Sequence, residues 1–191
     1  MKLTLLPDRQ DLRARFKAQF LMTWEEFRVV HSQMIANMAE PYQVFDEQRY
    51  ESSFMWDRMP LSFSVVSFDD ALKALREIGG DVLVMGEDDA VGCCNALTYC
   101  GEKIHEFIFR TDAQALAECI EFEWYESYRL AELNMYLADA LLPEDVYVFN
   151  ERMDWVIVFT HETSDWDAER YDMMKAAKSR VCIMGTCHKS K

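Results

Sequence analysis

VYVFNERMDWVIVFTHETSDW, residues Val146 to Trp166, decides how the rest of the chain is read. Two apolar arms, VYVFN and WVIVFT, flank the polar loop ERMD. Strong β-formers fill both arms, and a loop of that length is ordinary for a hairpin. The stretch therefore predicts an antiparallel pair. His161-Glu162 ends its second arm, and Asp165 or Asp167 caps a helix that follows, since an Asp side chain accepts the free N–H groups of a first turn.

Outward from the hairpin, an apolar run leads into an acid and then a helical pattern in SVVSFDDALKAL, in EFIFRTDAQALAE and in VIVFTHETSDWDAERY. Leu61 to Phe68 reads as a strand, with Asp69 or Asp70 capping a helix that stops at Gly79-Gly80. DVLVMG reads as a short strand buried on both faces, KIHEFIFRT as a strand and RVCIMG as a last one. Leu116, Ile120, Trp124, Tyr128, Ala131 and Met135 form the apolar stripe of a helix over 112–142, with a break expected near Tyr128 to Glu132 and Pro143 closing it. Trp124 and Tyr128 are expected buried, and Tyr125 more exposed. At the N-terminus, Pro7-Asp8 starts a first helix with the stripe Leu12, Phe16 and Phe20. Thr23 with Glu26 forms a capping box for a second, whose apolar face runs through Trp24, Phe27, Val30, Met34 and Met38 up to Pro41. Residues 42–60 read as a packed connection with a short helix.

These elements predict an α+β fold, with a mixed, partly antiparallel sheet packed against amphipathic helices. A doubly wound parallel sheet is the alternative, but the hairpin supplies an antiparallel pair and no Gly-rich strand-to-helix turn occurs. The expected organisation is a single domain over 1–191, with an N-terminal helical segment at 1–45 and a sheet-containing core at 60–185.

Charge is unevenly spread. The chain has 191 residues and a net charge of -14. The block 112–172 holds 16 acids against Arg129, Arg152 and Arg170, while 173–191 has five bases and no acids. Nucleic-acid binding is disfavoured, because phosphates need clustered Lys and Arg. A basic protein partner suits the acidic block, and the basic tail leaves homo-oligomerisation open. No run approaches the length of a membrane span, and the short apolar run before Pro7 does not make a signal peptide. With six cysteines in a chain of this size, reduced thiols and a cytoplasmic setting are expected.

The phosphate and dinucleotide loops, G-x-x-x-x-G-K-[ST] and G-x-G-x-x-G, are absent, as is the G-x-S-x-G elbow. His161, Glu162 and Asp165 are the candidate catalytic group, a general base with carboxylates beside it. The zincin pattern fails there, since position 165 is Asp and the setting is a strand end. His105 and His161, each followed by Glu, would share a metal if their strands were neighbours. Cys182, with Cys187-His188, and Cys93-Cys94 with Cys100, depart from the usual C-x-x-C spacing of zinc sites, and Cys182 reads as core. No cofactor is expected. Glu118, Glu121, Tyr125, Glu126 and Glu132 on the long helix are the candidate binding face, an aromatic contact with a charged rim.

An acidic α+β chain that ends in strand, hairpin and helix and lacks a catalytic signature resembles, in type, the small bacterial immunity and antitoxin proteins. That resemblance implies a non-enzymatic inhibitor of a basic partner such as a toxin or a nucleic-acid enzyme. The alternative is a small metal-dependent or acid–base hydrolase centred on His161, Glu162 and Asp165.

Overall fold

The computed structural model describes residues 1–32, 46–87, 108–131, 133, 135, 137, 140–164 and 179–187. Among them, seven strands form one sheet: β1 (Thr4–Leu5), β2 (Ser64–Val66), β3 (Asp81–Gly86), β4 (Ile108–Asp112), β5 (Val146–Phe149), β6 (Trp155–Thr163) and β7 (Arg180–Thr186). Their order is β1-β4-β3-β5-β6-β7-β2. Every pairing is antiparallel, so among the described strands the sheet holds no parallel pair and is not mixed. The helices are α1 (Arg9–Phe20), α2 (Trp24–Val30), α3 (Glu47–Ser52), α4 (Phe68–Ile78) and α5 (Ala113–Ala131), with a 3₁₀ turn at Met55–Arg58. The fold is α+β.

The opening hairpin forms as its sequence dictates, with Val146 opposite Phe159 and Phe149 opposite Val156. Its turn is closed by the Met153 N–H on the Asn150 carbonyl and by the Asn150 side chain, which accepts the Asp154 N–H at 2.9 Å. The strand-to-helix pattern that hinted at parallel strands has a different resolution. β4 and β5 run the same way and are joined through α5, but β3 lies between them, antiparallel to both.

Alternate residues of each central strand enter different cores. Val82, Val84, Phe109, Val146, Val148, Ile157, Phe159 and Cys182 meet Phe68, Leu72 and Leu75 of α4 and Leu116, Ile120 and Trp124 of α5. Leu83, Met85, Ile108, Tyr147, Phe149, Val156 and Val158 meet Phe16 and Phe20 of α1, with Met55 and Met59 beside them. Burying a side chain of this size contributes roughly 1.5–3 kcal/mol. Because both faces are covered, the strands read as unbroken apolar runs although they are antiparallel.

Several sequence expectations are corrected. The strand at Leu61 to Phe68 is only Ser64–Val66, and Phe68 opens α4. Ser67, not Asp69 or Asp70, is the cap: its hydroxyl accepts the Asp70 N–H at 3.1 Å and donates to the Asp70 carboxylate at 2.6 Å. A cap must precede the first helical residue, and once Phe68 is helical only Ser67 holds that place. At the other end of α4, Gly79 and Gly80 adopt left-handed φ of 60° and 66°, which lets the chain turn straight into β3. The capping box of α2 forms at Thr23 and Glu26. Its apolar face, however, stops at Phe27, because Val30 is exposed, and Met34 and Met38 lie outside the described residues. α5 ends at Ala131, inside the expected break, and the stripe ends with half-buried Tyr128, since Ala131 and Met135 are exposed. The helix expected to begin at Asp165 or Asp167 lies outside the described residues, as do His105 and the start of its strand.

Candidate functional site

The register of the sheet brings three strand ends together. Gly86 pairs with Val146, and Val146 with Phe159, so the exit of β3, the entrance of β5 and the exit of β6 share one edge of the molecule. Glu87, Asp145, His161 and Glu162 therefore collect there, and the 3₁₀ turn packs across them. The Met55 N–H donates to the Glu87 carboxylate at 3.1 and 3.3 Å, and the Trp56 N–H donates to the Tyr147 hydroxyl at 3.2 Å. That hydroxyl in turn donates to Glu87 at 2.5 Å. Burial first, and the Glu87 charge next, hold the Tyr147 phenol well above its ordinary value of 10.0.

His161 is oriented by a buried carboxylate. Asp145 is 5% exposed. It accepts the His161 backbone N–H at 2.8 Å and lies 3.0 Å from Nδ1 through both oxygens. With the ring proton on Nδ1, the lone pair sits on Nε2, which faces Glu162 at 3.6 Å. Phe54 and Trp56 approach the imidazole edge-on, with ring centroids at 4.9 and 6.0 Å. Asp57 completes the group. Its carboxyl is raised above the ordinary range, by desolvation first and by the Glu162 charge next, while His161 pulls the other way. Chemically, a histidine fixed by a carboxylate at one nitrogen, with a second carboxylate 3.6 Å from the other, is equipped to accept a proton.

The candidate binding residues occupy the outer side of α5. Glu118 is exposed and accepts from Gln114 at 2.9 Å. Glu121 is paired with Arg76 of α4 at 2.6 Å. Glu126 is paired with Arg129 at 2.6 Å, and that guanidinium holds its carboxyl below the ordinary range. Tyr125 is half-buried against Phe68. Trp124 is buried at 4%, and the Arg180 guanidinium stacks on its ring at 3.7 Å. Glu132 lies outside the described residues. Phe122, which the stripe did not include, is 62% exposed and sits one turn from both Glu118 and Glu126.

Among the described residues the candidate metal ligands do not converge. Cys182 is fully buried on the α4–α5 face, where burial pushes its thiol up to about 12. Cys187 packs on the opposite face, accepting from the Gln19 amide at 2.7 Å. Among the described residues no three His, Cys, Asp or Glu side chains are placed to hold an ion. Asp165, His105, Cys93, Cys94, Cys100 and His188 lie outside them.

Sequence reasoning found His161 and Glu162 but not Asp145, Glu87, Tyr147 or Asp57. Each joins the site through strand register or through the 3₁₀ turn, and a linear spacing pattern carries neither. Glu123 was also missed, although it is 7% exposed and accepts the N–H groups of Leu141 and Leu142 at 2.7 and 3.0 Å. A carboxylate one position before a stripe residue is the signal that was available. No protein-family model, curated protein or solved structure matches this chain. No described helix is long and apolar enough to cross a membrane.

Proposed function

We propose that the chain is a non-enzymatic binding protein of the cytoplasm, an immunity-like or antitoxin-like inhibitor that docks a basic protein partner on the outer side of α5. The observation that carries this is Phe122, 62% exposed with Glu118 and Glu126 one turn away on either side. An aromatic side chain inside a charged rim is the usual anatomy of a binding hot spot. The ion pairs of Glu121 and Glu126 do not block it. They are surface pairs, of low value, and an incoming guanidinium or ammonium can replace Arg76 or Arg129. The excess charge of the 112–172 block would speed the encounter and make it salt-sensitive. Among the described residues, free thiols at Cys119 and Cys182 are consistent with a reducing compartment.

The test is capture from native lysate on the wild-type chain, on a Glu118→Lys/Glu121→Lys/Glu126→Lys variant and on Phe122→Ala. One basic protein, retained by the wild type at low salt, released near ~0.5 M salt and lost from both variants, is the expected result. Equal retention by all three chains would overturn the proposal.

A second reading, a small acid–base hydrolase, is favoured by one observation: Asp145 holds Nδ1 of His161 and turns Nε2 toward Glu162, 3.6 Å away. It requires turnover of some ester, phosphoester or amide that His161→Ala abolishes. A purified chain inert toward such a panel removes it.

A further inference from the structure

At the end of the sheet opposite His161 lie two adjoining depressions of about 400 and 360 Å³, the smaller of them beside α1. They share Leu83, Arg110 and Glu151. Small-molecule sites fall at roughly 300–1,000 Å³, so either depression is large enough to hold a ligand.

The smaller one is the better furnished. Half-buried Leu6 and Leu12 give it an apolar side, with the buried Leu83 beneath. Arg15 and Arg110 bring two guanidiniums to it, and Asp8 and Asp11 bring two carboxylates. Asp8 is the N-cap of α1, yet its side chain makes no cap hydrogen bond. An Asp in that position normally accepts a free N–H of the first turn. Here the carboxylate is left over and lines the depression instead. Across the shared rim, Arg110 of β4 pairs with Glu151 of the β5–β6 turn. Both side chains are part exposed, at 41% and 64%, and a surface pair of this kind opens at little cost.

A purely anionic ligand would meet Asp8, Asp11 and Glu151, and a purely cationic one would meet Arg15 and Arg110. Only a ligand that carries both signs satisfies both sets, and each wrong pairing is penalised. The geometry points to a binding site for a zwitterionic, amino-acid-like small molecule with an aliphatic side chain. Its carboxylate lies on Arg110 and Arg15, which suit a planar bidentate acceptor. Its ammonium lies between Asp8 and Asp11, and its side chain lies on Leu6 and Leu12. The site is separate from the α5 face, so neither proposal depends on the other.

Equilibrium dialysis of the full chain with labelled L-leucine tests it. Two competitors isolate the charges: 4-methylpentanoate lacks the ammonium and 3-methylbutylamine lacks the carboxylate. L-leucine should bind saturably, with each competitor weaker by about tenfold or more. Arg110→Gln and Asp8→Asn, each checked for native circular dichroism, should each weaken L-leucine by about tenfold. No saturable uptake of L-leucine, competitors as good as unlabelled L-leucine, or a folded Asp8→Asn chain that binds like wild type would each overturn the site.

Discussion

Removing the Glu123 carboxylate should unfasten the chain that follows α5. The two oxygens accept the Leu141 and Leu142 N–H groups at 2.7 and 3.0 Å, and Leu142 is itself buried. Truncation to Ala leaves two backbone donors without an acceptor, at a cost of about 1–3 kcal/mol each. Against this, the variant no longer buries a carboxylate. Burial is the first cause of the raised Glu123 pKa, with the two backbone N–H groups and Cys119 pulling it down, so removal returns part of the loss. The net expectation for Glu123→Ala at neutral pH is a loss of about 2–4 kcal/mol, read from urea unfolding at unchanged m. For a chain of this length that is a fall of about 5–12 °C in Tm. Glu123→Gln keeps one accepting oxygen and should fall between wild type and Ala. The pH dependence has a definite sign. A raised folded pKa means that the native state holds the proton more tightly than the unfolded chain does. The stabilisation linked to that proton is complete below the ordinary value of 4.5 and is lost as pH rises through the raised folded value. The stability of wild type relative to Glu123→Gln should therefore decline from acid toward neutral pH. A loss below about 1 kcal/mol for the Ala variant, or a relative stability that climbs with pH, would refute the reasoning.

Gly185→Ala should cost about 1–3 kcal/mol by overpacking, since an added Cβ would fall 2.4 Å from the Phe63 ring. Urea unfolding measures it, and combining it with Phe63→Ala should recover most of the loss; an unchanged midpoint would mean that the ring does not cover Gly185. Asp145→Asn should cost about 1–3 kcal/mol in the same assay, because the buried carboxylate accepts both the backbone N–H and Nδ1 of His161. A neutral outcome would show that the pair does not form in solution.

What the sequence discloses follows from what each segment buries. β3, β5, β6 and β7 were legible because unbroken apolar runs such as DVLVMG and WVIVFT have no other home than a covered sheet. The same property hid their order, since a strand apolar on both faces carries no mark of which neighbour it meets. Only the hairpin stated one pairing outright. The edges were the hardest. β1 is two residues long and was not foreseen, and β2 was drawn too long because the helical Phe68 continues the apolar pattern of Val65 and Val66. The site divides in the same way. His161 stood out by its type, whereas Asp145 lies 16 residues earlier and becomes its partner only once Val146 is set opposite Phe159. Glu118, Glu121 and Glu126 were placed on the right side of their helix. That Arg76 reaches Glu121 follows from α4 lying beside α5, which the sequence does not give.

A sheet covered on both faces confines its polar chemistry to strand ends and to the outer sides of its helices. At the strand ends, much of that chemistry is already committed. Glu87 and Asp145 accept backbone N–H groups of the 3₁₀ turn and of β6, and Tyr147 accepts one of them while donating to Glu87. A carboxylate that satisfies buried donors holds structure whether or not it also tunes a histidine. Phe122 has no such duty. Its helix already fills the core with Leu116, Ile120 and Trp124, while the Phe122 ring turns outward beside Glu118 and Glu126. Hydrogen bonding within the fold thus accounts for the arrangement at His161, whereas the binding role proposed for the outer side of α5 competes with no structural role of Phe122.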